Sequence, residues 1–469
     1  MVFSTYFFLA WFLPLALGVY FALPVRLRNG WLAVSSYVFY GWARPEYCLL
    51  LAGMTAFNYW CGARIWRAAD ARARRRWLVL SIVGSLSLLG FFKYAGMLSG
   101  WLAGLLSLAT GAPSPLPVLD VVLPIGISFY TFQAISYTVD IHRGHAEPAD
   151  DLISFAAYIA MFPQLIAGPI VRYETIAEQL RERRHGLPEA LLGARFFAIG
   201  LAKKALLADT FALAVPAAFE TADPGFFGAW LGVLGYTLQI YFDFSAYSDM
   251  AVGIGLVLGF HFPKNFDSPY RSASITEFWR RWHISLSTWL RDYLYLPLGG
   301  NRRGATRTYV NLMIVMLLGG LWHGASVAFL LWGLWHGALL AIERRAGAHH
   351  PARWLPQPLA IAFTQLLVVI GWVPFCAGSL ANGQFDATMA VFDGMFATAP
   401  SLDVELAGIS PLLFWLVPLG VLACVALPNS WAMVRSTSPL ACGRDALLGA
   451  AALVAVLSYQ GSPFLYFQF

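Results

Sequence analysis

The sequence predicts an all-α, polytopic membrane protein, with roughly 10–12 transmembrane or re-entrant helices around a central tunnel and with interfacial amphipathic helices. Composition is the first reason: of the 469 residues, 59% are hydrophobic and 12% are charged, whereas about 25% of the residues of a soluble protein are charged. The second reason is a series of apolar blocks along the whole chain. The third is that histidines, arginines and an aspartate lie within or beside these blocks, at 278–300 and 319–337. Because a charge at the bilayer centre costs roughly 2.5–3.5 kcal/mol, such groups indicate function.

The apolar blocks, taken in order, predict the membrane segments. The first has no preceding Lys or Arg and no small-residue cleavage site, which favours a retained span over a cleaved signal peptide. Block 30–64 is interrupted by the sequence Ala-Arg-Pro at 43–45 and is predicted to be a hairpin of two short helices. Block 226–260 contains Asp243 and Asp249 and is either one element or two. The blocks lie at 2–23, 30–64, 77–97, 118–139, 152–171, 191–216, 226–260, 309–342, 357–377, 409–427 and 444–460.

The distribution of basic residues predicts the orientation in the membrane. The stretches 64–76, 172–184 and 264–307 are expected in the cytoplasm, because short cytoplasmic loops are enriched in Lys and Arg. Three apolar blocks separate the first stretch from the second, yet two loops on one side require an even number of crossings. One block is therefore re-entrant, with 123–137 as the candidate, or a further short span lies near 100–111. Irregular backbone at membrane depth needs a surrounding cavity or protein, which is why a tunnel is expected.

Residues 278–296 are predicted to form one amphipathic helix that lies at the interface or packs under the bundle. The net charge of +6 is concentrated in such loops and segments, which indicates membrane orientation and not nucleic-acid binding. His283 falls on the boundary between the two faces of this helix. The apolar face would carry Trp279, Trp282, Leu286, Trp289, Leu290 and Tyr293, and the polar face Arg280, Arg281, Thr288, Arg291 and Asp292.

His323 is the strongest candidate for chemistry, since it lies deep inside the apolar block 309–342 and next to glycines that leave room for close packing or a ligand. A neutral imidazole accepts a proton from a hydroxyl and returns it to a leaving group. The alternative is a core histidine that bonds a neighbouring helix. His336 lies 13 residues further on, which on one continuous helix is about 20 Å along the axis. His336 is therefore expected to be structural or interfacial.

The remaining polar residues have simpler explanations. Arg280, Arg281 and Arg291 suit either anionic lipid headgroups or a phosphorylated cofactor. Asp243 and Asp249 are expected to face the bundle interior as hydrogen-bond partners. Lys203, Lys204 and Asp209 are expected to pair locally. The five scattered cysteines and the histidine spacing predict neither a disulfide framework nor a metal site.

A family resemblance joins these residues. The sequence contains MVFSTYFFLAWFLPLALGVYF at its N-terminus, LPIGISFYTFQAISYTVDIHRG at 123–144, MFPQLIAGPIVRYE at 161–174, the long run from QIYFDFSAYSDM through FWRRWHISLSTWLRDYLYLPLGGNR, then GGLWHG, and finally SPFLYFQF. In this order the motifs resemble the membrane-bound O-acyltransferase superfamily, and most closely its bacterial alginate O-acetyltransferase branch. The resemblance runs nearly end to end. It implies one membrane domain over 1–469, with core motifs at about 118–342.

The resemblance also implies an activity and a site. It implies transfer of an acetyl group from a cytoplasmic donor, acetyl-CoA, across the inner membrane of a bacterium to hydroxyls of an extracellular or periplasmic polysaccharide such as alginate. His323 is similar to the family's membrane-embedded active-site histidine, and His283 to its second, more cytoplasmic histidine. Both are expected to open onto one tunnel that reaches the cytoplasm. Substrate contacts are expected at Trp279, Arg280, Arg281, Arg291 and Trp322.

The expected partners follow from the same resemblance, and three alternatives remain open. Expected partners are acetyl-CoA, membrane lipids, the polysaccharide export and modification machinery and a periplasmic SGNH-type acetyltransferase that completes the transfer; no bound cofactor is expected. Within the superfamily the alternative is transfer of D-alanine or another acyl group to a cell-envelope polymer such as teichoic acid. A proton-coupled transporter would also place His, Asp and Lys in helices. A non-catalytic scaffold for a periplasmic transferase would make His323 dispensable.

Overall fold

The computed structural model describes residues 1–221, 223–347, 355–380, 384–397, 409–458 and 464–465. All regular secondary structure in these ranges is helical, and they contain no β-strand. The prediction of an all-α chain is therefore confirmed. The chain divides into two compact units, one formed by Met1 and Ala10–Arg184 and the other by Val2–Leu9 and His185–Phe469.

The first unit confirms the predicted hairpin. Two helices replace the single apolar block 30–64, and they are separated by the short connection at 42–46. Pro45 and its neighbours end the first helix because proline cannot continue an α-helical hydrogen-bond ladder. The α-helices of this unit are α1 (Leu13–Ala22), α2 (Val25–Gly41), α3 (Tyr47–Arg67), α4 (Ala71–Thr110), α5 (Ile127–Arg143), α6 (Leu152–Ala160) and α7 (Tyr173–Arg181).

Helix α4 rules out one of the two explanations for the odd number of predicted membrane crossings. Its 40 residues form one helix, about 60 Å long, so residues 100–111 are not a separate short span. Asp70 starts the helix by accepting a hydrogen bond from the amide of Ala73 at 2.7 Å. Gly111 ends it in the left-handed conformation with φ of 66°. Residues 127–137 of the re-entrant candidate belong to the almost wholly buried α5; re-entry itself stays a prediction.

The second unit is built around a long buried helix. Residues 225–257 form one helix of 33 residues, so the two-element alternative for block 226–260 is wrong. The α-helices of this unit are α8 (Leu187–Ala202), α9 (Asp209–Ala212), α10 (Pro216–Phe219), α11 (Gly225–Val257), α12 (Ile275–Arg281), α13 (Ile284–Leu290), α14 (Ala305–His323), α15 (Val327–Arg345), α16 (Gln357–Gly378), α17 (Gln384–Met395), α18 (Leu413–Ala426), α19 (Ser430–Met433) and α20 (Pro439–Ser458). Short π-helical segments lie at Phe8–Phe12, Lys203–Ala208 and Arg291–Tyr295, and a 3-10 turn at Pro269–Arg271.

The acidic residues of α11 face the interior, as predicted. The carboxylate of Asp243 pairs with the ammonium of Lys204 at 2.7 Å, and Lys204 also pairs with Asp209 at 2.9 Å. The carboxylate of Asp249 pairs with Lys203 at 2.8 Å. Buried charges require such partners because desolvation of a lone ion is prohibitive.

Several described helices have the length and apolarity needed to cross a bilayer. Four of them meet both requirements, namely α4, α15, α16 and α20, and two shorter apolar stretches lie at Phe8–Ala22 and Leu413–Ala426. The final motif SPFLYFQF lies outside the described residues except for Phe464 and Leu465.

Candidate functional site

The segment predicted as one amphipathic helix is broken in two. Helix α12 ends at Arg281 and helix α13 begins at Ile284. Between them His283 adopts φ of 41° and ψ of 56°, the left-handed conformation. Periodicity alone could not show this break, because the residues on both sides keep the apolar spacing of a helix. His283 is therefore not on the flank of a helix: it is the N-cap of α13, and it is 1% exposed.

Asn265 holds this turn. Its backbone oxygen accepts the amide of Ile284 at 2.9 Å. Its side-chain Oδ1 accepts the amide of Ser285 at 3.2 Å and the hydroxyl of Ser285 at 2.9 Å, and it lies 3.1 Å from Nδ1 of His283. The side-chain amide of Asn265 donates to the hydroxyl of Ser248 on α11 at 3.0 Å. The ring of His283 packs on Phe244 with centroids 4.7 Å apart.

A second helix break, after His323, changes the predicted distance between His323 and His336. His323 is the last residue of α14, Gly324 is extended, and α15 starts at Val327. Ser326 begins the new helix by accepting the amide of Ala328 at 3.1 Å. The chain thus folds back between His323 and His336, and the expectation of about 20 Å along one helix axis is wrong.

Glycines let α14 and α15 pack backbone against backbone, as their positions predict. A Cβ on Gly320 would lie 2.2 Å from the carbonyl oxygen of Phe329, and a Cβ on Gly333 would lie 2.5 Å from that of Met316. Any side chain at either position would therefore separate the two helices. This close approach sets the position of His323 at the end of α14.

Two tryptophans bring three histidines together in the second unit. The ring of Trp322 lies 6.2 Å from that of His283 and 4.9 Å from that of His323, centroid to centroid. The ring of Trp332 lies 5.2 Å from that of His323 and 5.2 Å from that of His336. His323 is 6% exposed and His336 is 0% exposed. Sequence reasoning named His323 and His283; it placed His336 elsewhere. A tunnel shared by His283 and His323 stays a prediction.

The two tryptophans that were predicted to contact substrate lie in this same cluster. Trp322 lies between the two predicted catalytic histidines. Trp279 packs on His336 at 5.2 Å and on Trp332 at 5.6 Å. The indole nitrogens of Trp279 and Trp332 and both ring nitrogens of His336 are buried and have no hydrogen-bond partner among the described residues. Buried polar groups almost always have a partner, which includes water, so this cluster has unused hydrogen-bonding capacity.

The three arginines differ in their surroundings. Arg281 is committed to the fold: it binds Glu277 at 2.8 Å and the backbone oxygen of Asp267 at 3.0 Å. Arg291 is 60% exposed and pairs with the adjacent Asp292 at 2.6 Å. Arg280 is exposed and has no ion pair among the described residues. Arg280 is thus the most available of the three for a phosphate.

The loop before α12 is fixed by a carboxylate that favours its charged form. Burial alone would raise the pKa of Asp267, but the hydrogen bond and charge of Lys264 at 2.6 Å lower it below its ordinary value, with help from Asn429. Asp267 also donates its backbone amide to the carbonyl of Arg281 at 2.9 Å. The loop that carries Asn265 is therefore tied to the end of α12.

Sequence reasoning missed three residues of this site. Asn265, Trp332 and Phe375 carry no motif of their own, and Phe375 reaches His323 from α16 with ring centroids 4.7 Å apart. Only Asn265 had a weak local signal, because Asn favours turns through side-chain-to-backbone hydrogen bonds. No group of His, Cys, Asp and Glu suited to a metal occurs in the described ranges.

Comparison with known proteins gives consistent matches. Residues 149–373 match the sequence profile of the membrane-bound O-acyltransferase family. The chain is 51% identical to the probable alginate O-acetylase of Pseudomonas aeruginosa over 81% of this chain and 73% of that protein. It is 43% identical to the probable alginate O-acetylase of Pseudomonas putida over 100% of both chains. It is 36% identical to the peptidoglycan O-acetyltransferase of Helicobacter pylori over 84% of this chain and 80% of that protein.

Proposed function

Because the chain belongs to the membrane-bound O-acyltransferase family, and is therefore a polytopic membrane acyltransferase, we propose that it moves acetyl groups from cytoplasmic acetyl-CoA towards a polysaccharide outside the cytoplasm. The observation that carries the proposal is the buried histidine cluster around His323, which lies within the residues that match the family. Two of the relatives are probable alginate O-acetylases, which supports alginate or a similar uronic-acid polymer as the final acceptor. A cytoplasmic donor and an acceptor outside the cytoplasm support the bacterial inner membrane as the proposed location.

His323 is proposed as the general base. The neutral imidazole takes the proton from an acceptor hydroxyl while the hydroxyl oxygen attacks the thioester carbonyl carbon. The C–S bond then breaks, and the coenzyme A thiolate leaves with the proton that the imidazolium returns. General-base assistance contributes typically about 10²–10⁴-fold. The close packing of α14 on α15 sets the backbone position of His323, and Trp322, Trp332 and Phe375 pack around its ring. Such catalysis requires a positioned base.

Membrane depth explains why a buried histidine is used. Coenzyme A is large and carries several phosphate charges, so it cannot cross a bilayer, whereas an acetyl group is small and neutral. Donor and acceptor must therefore approach the base from opposite sides. The exposed Arg280 and Arg291 are proposed to receive the phosphates of coenzyme A on the cytoplasmic side, because guanidinium groups bind phosphate oxygens in forks.

The acceptor at His323 is proposed to be a hydroxyl of a periplasmic SGNH-type acetyltransferase that then acetylates the polymer. The described part of the chain has no soluble domain that could hold a long glycan. An intermediate carrier removes the need for one.

The test is acetyl transfer from labelled acetyl-CoA in inverted membrane vesicles, together with the acetyl content of secreted polymer. His323→Ala is expected to lower both by at least about 10²-fold, the contribution of a general base, while the protein inserts and accumulates normally. His261→Ala is the matched control, since His261 is an exposed histidine of the same unit. Wild-type acetylation in His323→Ala would remove this histidine from the reaction.

A further inference from the structure

The backbone at His283 is strained. A left-handed conformation is unfavourable for a residue other than glycine because its Cβ lies too close to the following carbonyl oxygen, and His283 adopts it with φ of 41°. Such strain persists only where surrounding contacts over-determine it, and it is concentrated at functional sites. Asn265 supplies such contacts here, because its backbone oxygen and its side-chain oxygen both bind the first turn of α13.

The orientation of the Asn265 side chain is fixed by a group that can only donate. The backbone amide of Ser285 faces one atom of the Asn265 side-chain amide at 3.2 Å. A backbone N–H has no acceptor capacity, so this atom is the oxygen and the other is the nitrogen. The nitrogen points to the hydroxyl of Ser248 at 3.0 Å, and a hydroxyl readily accepts.

This orientation decides the tautomer of His283. The oxygen of Asn265 lies 3.1 Å from Nδ1 of His283. The hydroxyl of Ser285, 3.5 Å from Nδ1, donates its hydrogen to the Asn265 oxygen at the shorter distance of 2.9 Å. If Nδ1 carried a lone pair, that lone pair would therefore face a lone pair of the Asn265 oxygen. If Nδ1 carries the hydrogen, the contact is an ordinary N–H···O hydrogen bond. In a neutral imidazole one nitrogen is protonated and the other is an acceptor, so the lone pair belongs to Nε2.

We propose that Asn265 is a positioning residue that holds His283 as the neutral Nδ1–H tautomer and thereby presents the Nε2 lone pair to the acetyl-transfer site. The proposal rests on the proposed function for its catalytic consequence, although the tautomer does not depend on it. His283 then serves the site as a hydrogen-bond acceptor or base. It does not serve as the donor that stabilises a developing oxyanion, since its donor is occupied by Asn265.

The surroundings of His283 are consistent with a neutral ring. Phe244 of α11, Phe266 of the preceding loop and Trp322 of α14 pack on it with centroids 4.7, 6.5 and 6.2 Å away. None of these three titrates. The titratable groups next to these contacts include Asp267, Arg281, Tyr241 and His323. Asp267 is bound to Lys264 and Arg281 to Glu277. The ring of Tyr241 packs on Phe266, and His323 is reached through Trp322.

Substitution of Asn265 tests the catalytic consequence. Asn265→Asp keeps an oxygen for Nδ1–H and for Ser285, but its negative charge favours the imidazolium and so raises the pKa of His283. A base must be neutral to act, so the acidic limb of the rate profile is expected to move to higher pH by at least one unit, with activity retained above it. Asn265→Ala is expected to lose at least tenfold in kcat across the whole pH range. Activity that is retained in Asn265→Asp and lost in Asn265→Ala is the pattern expected of a positioning residue.

The matched control is Asn58→Asp. Asn58 is also fully buried, and its amide oxygen accepts the hydroxyl of Ser81 at 2.8 Å, but the described structure records no histidine against it. This variant is expected to change protein abundance without moving the pH profile. An Asn265→Asp profile that coincides with the wild-type profile would overturn the positioning role.

The tautomer of His283 can be measured independently of enzyme activity. Solid-state NMR of full-length protein in lipid, labelled with ¹⁵N-histidine and assigned by comparison with His283→Gln, is expected to show a protonated Nδ1 and an unprotonated Nε2. In Asn265→Ala the protonated Nε2 form is expected to gain population. A protonated Nε2 in the wild type would overturn the inference even if His323→Ala abolishes transfer. Conversely, transfer that survives His323→Ala would defeat the proposed function and leave the NMR result standing.

Discussion

At the residue scale, the three arginines near α12 show that charge alone does not define a phosphate site. Arg281 has its guanidinium bound by Glu277 and by the Asp267 backbone, so its loss would loosen the turn before His283. Arg280 has no such contact and is exposed. Substitution of Arg280 can therefore test phosphate binding without disturbing the fold, whereas substitution of Arg281 would disturb it. The sequence alone could not distinguish these two arginines.

Arg280→Glu is expected to raise KM for acetyl-CoA severalfold with kcat and protein abundance little changed, because only a donor contact is lost. Arg281→Glu is expected to lower abundance and thermal stability, because it places two carboxylates side by side at Glu277. Initial rates at varied acetyl-CoA in inverted vesicles measure the first effect, and thermal unfolding in detergent measures the second. An unchanged KM in Arg280→Glu would assign this arginine to lipid headgroups.

His336 can be tested by a change that keeps its shape. Both of its ring nitrogens are buried without a hydrogen-bond partner in the described structure, so His336→Phe removes polar atoms while the ring still packs on Trp279 and Trp332. Replacement of an unpaired buried polar group by an apolar one is nearly neutral for stability. We therefore expect normal accumulation and a partial loss of acetyl transfer, smaller than that of His323→Ala. Melting temperature and vesicle rates are the measurements.

An unfolded or unstable His336→Phe would show that the imidazole has a structural hydrogen bond. Full activity would show that the unused hydrogen-bonding capacity of the tryptophan cluster is not part of the reaction. The matched control is Phe329→Leu, which alters the packing beside His323 at 6.1 Å without touching a polar atom.

At the element scale, a single carboxylate anchors α12 to α15. The two oxygens of Glu343 accept the amides of Ile275 and Thr276, each at 2.8 Å, and the hydroxyl of Thr276 at 2.5 Å. These are the first amides of α12, which have no partner inside the helix. The clamp therefore sets where α12 starts, and through α12 it sets the positions of Trp279 and His283.

Glu343→Ala is expected to destabilise the protein by about 1–3 kcal/mol, the effect of leaving a buried polar group without a partner, and to lower acetyl transfer as α12 moves. The stability of Glu343→Gln is expected to lie between those of the wild type and Glu343→Ala, because the amide nitrogen of glutamine cannot accept a hydrogen bond. Thermal unfolding in detergent is the measurement. Glu46→Ala is the control, since the side chain of Glu46 is 56% exposed where it pairs with Arg44, and exposed pairs contribute little to stability. Equal melting temperatures for Glu343→Ala and the wild type would contradict the clamp.

Helix boundaries were predictable where a helix-breaking residue stands at the boundary, and not where tertiary contacts set it. Pro45 ends the first part of block 30–64, and the sequence shows it. The break at His283 depends on Asn265, which lies 18 residues away, and no periodicity records such a contact. The block 309–342 contains Gly324 and Ser326, but GGLWHGAS also suits a continuous helix. The sequence named His323, His283, Trp279 and Trp322, which the fold brings into one cluster, and their roles stay predictions. Asn265 and the proximity of His336 required the fold.

At the scale of the whole molecule, buried ion pairs restrict which changes the second unit tolerates. Asp445 is 0% exposed and binds Arg195 at 2.8 Å and Arg444 at 2.7 Å, which ties α20 to α8. Lys204 is 1% exposed between Asp209 and Asp243. Removal of one partner from such a pair typically destabilises by about 3–5 kcal/mol. Some of the few charges of this chain are thus used as buried ion pairs inside the second unit.

The remaining charges, outside the core, predict the orientation of the chain in the membrane. Arg72 lies in the basic start of α4, and Arg302 lies in the exposed turn before α14. Both belong to stretches that the positive-inside rule assigns to the cytoplasm. Arg72→Cys and Arg302→Cys are therefore expected to react with a membrane-impermeant maleimide only when the cytoplasmic face is accessible, as in inverted vesicles. Intact spheroplasts are expected to leave both unlabelled.

This experiment needs a background without the native cysteines, Cys48, Cys61, Cys376, Cys424 and Cys442, that still transfers acetyl groups. Within that background, Leu108→Cys at an exposed position near the other end of α4 is expected to be labelled from the outside. Helix α4 is about 60 Å long, twice the hydrocarbon thickness of roughly 30 Å, so its two ends cannot both lie on the cytoplasmic side if it crosses the bilayer.

Labelling of Arg72→Cys from outside would invert the orientation and with it the side from which acetyl-CoA is proposed to enter. Labelling of Arg72→Cys and Leu108→Cys from the same side would show that α4 does not cross the membrane.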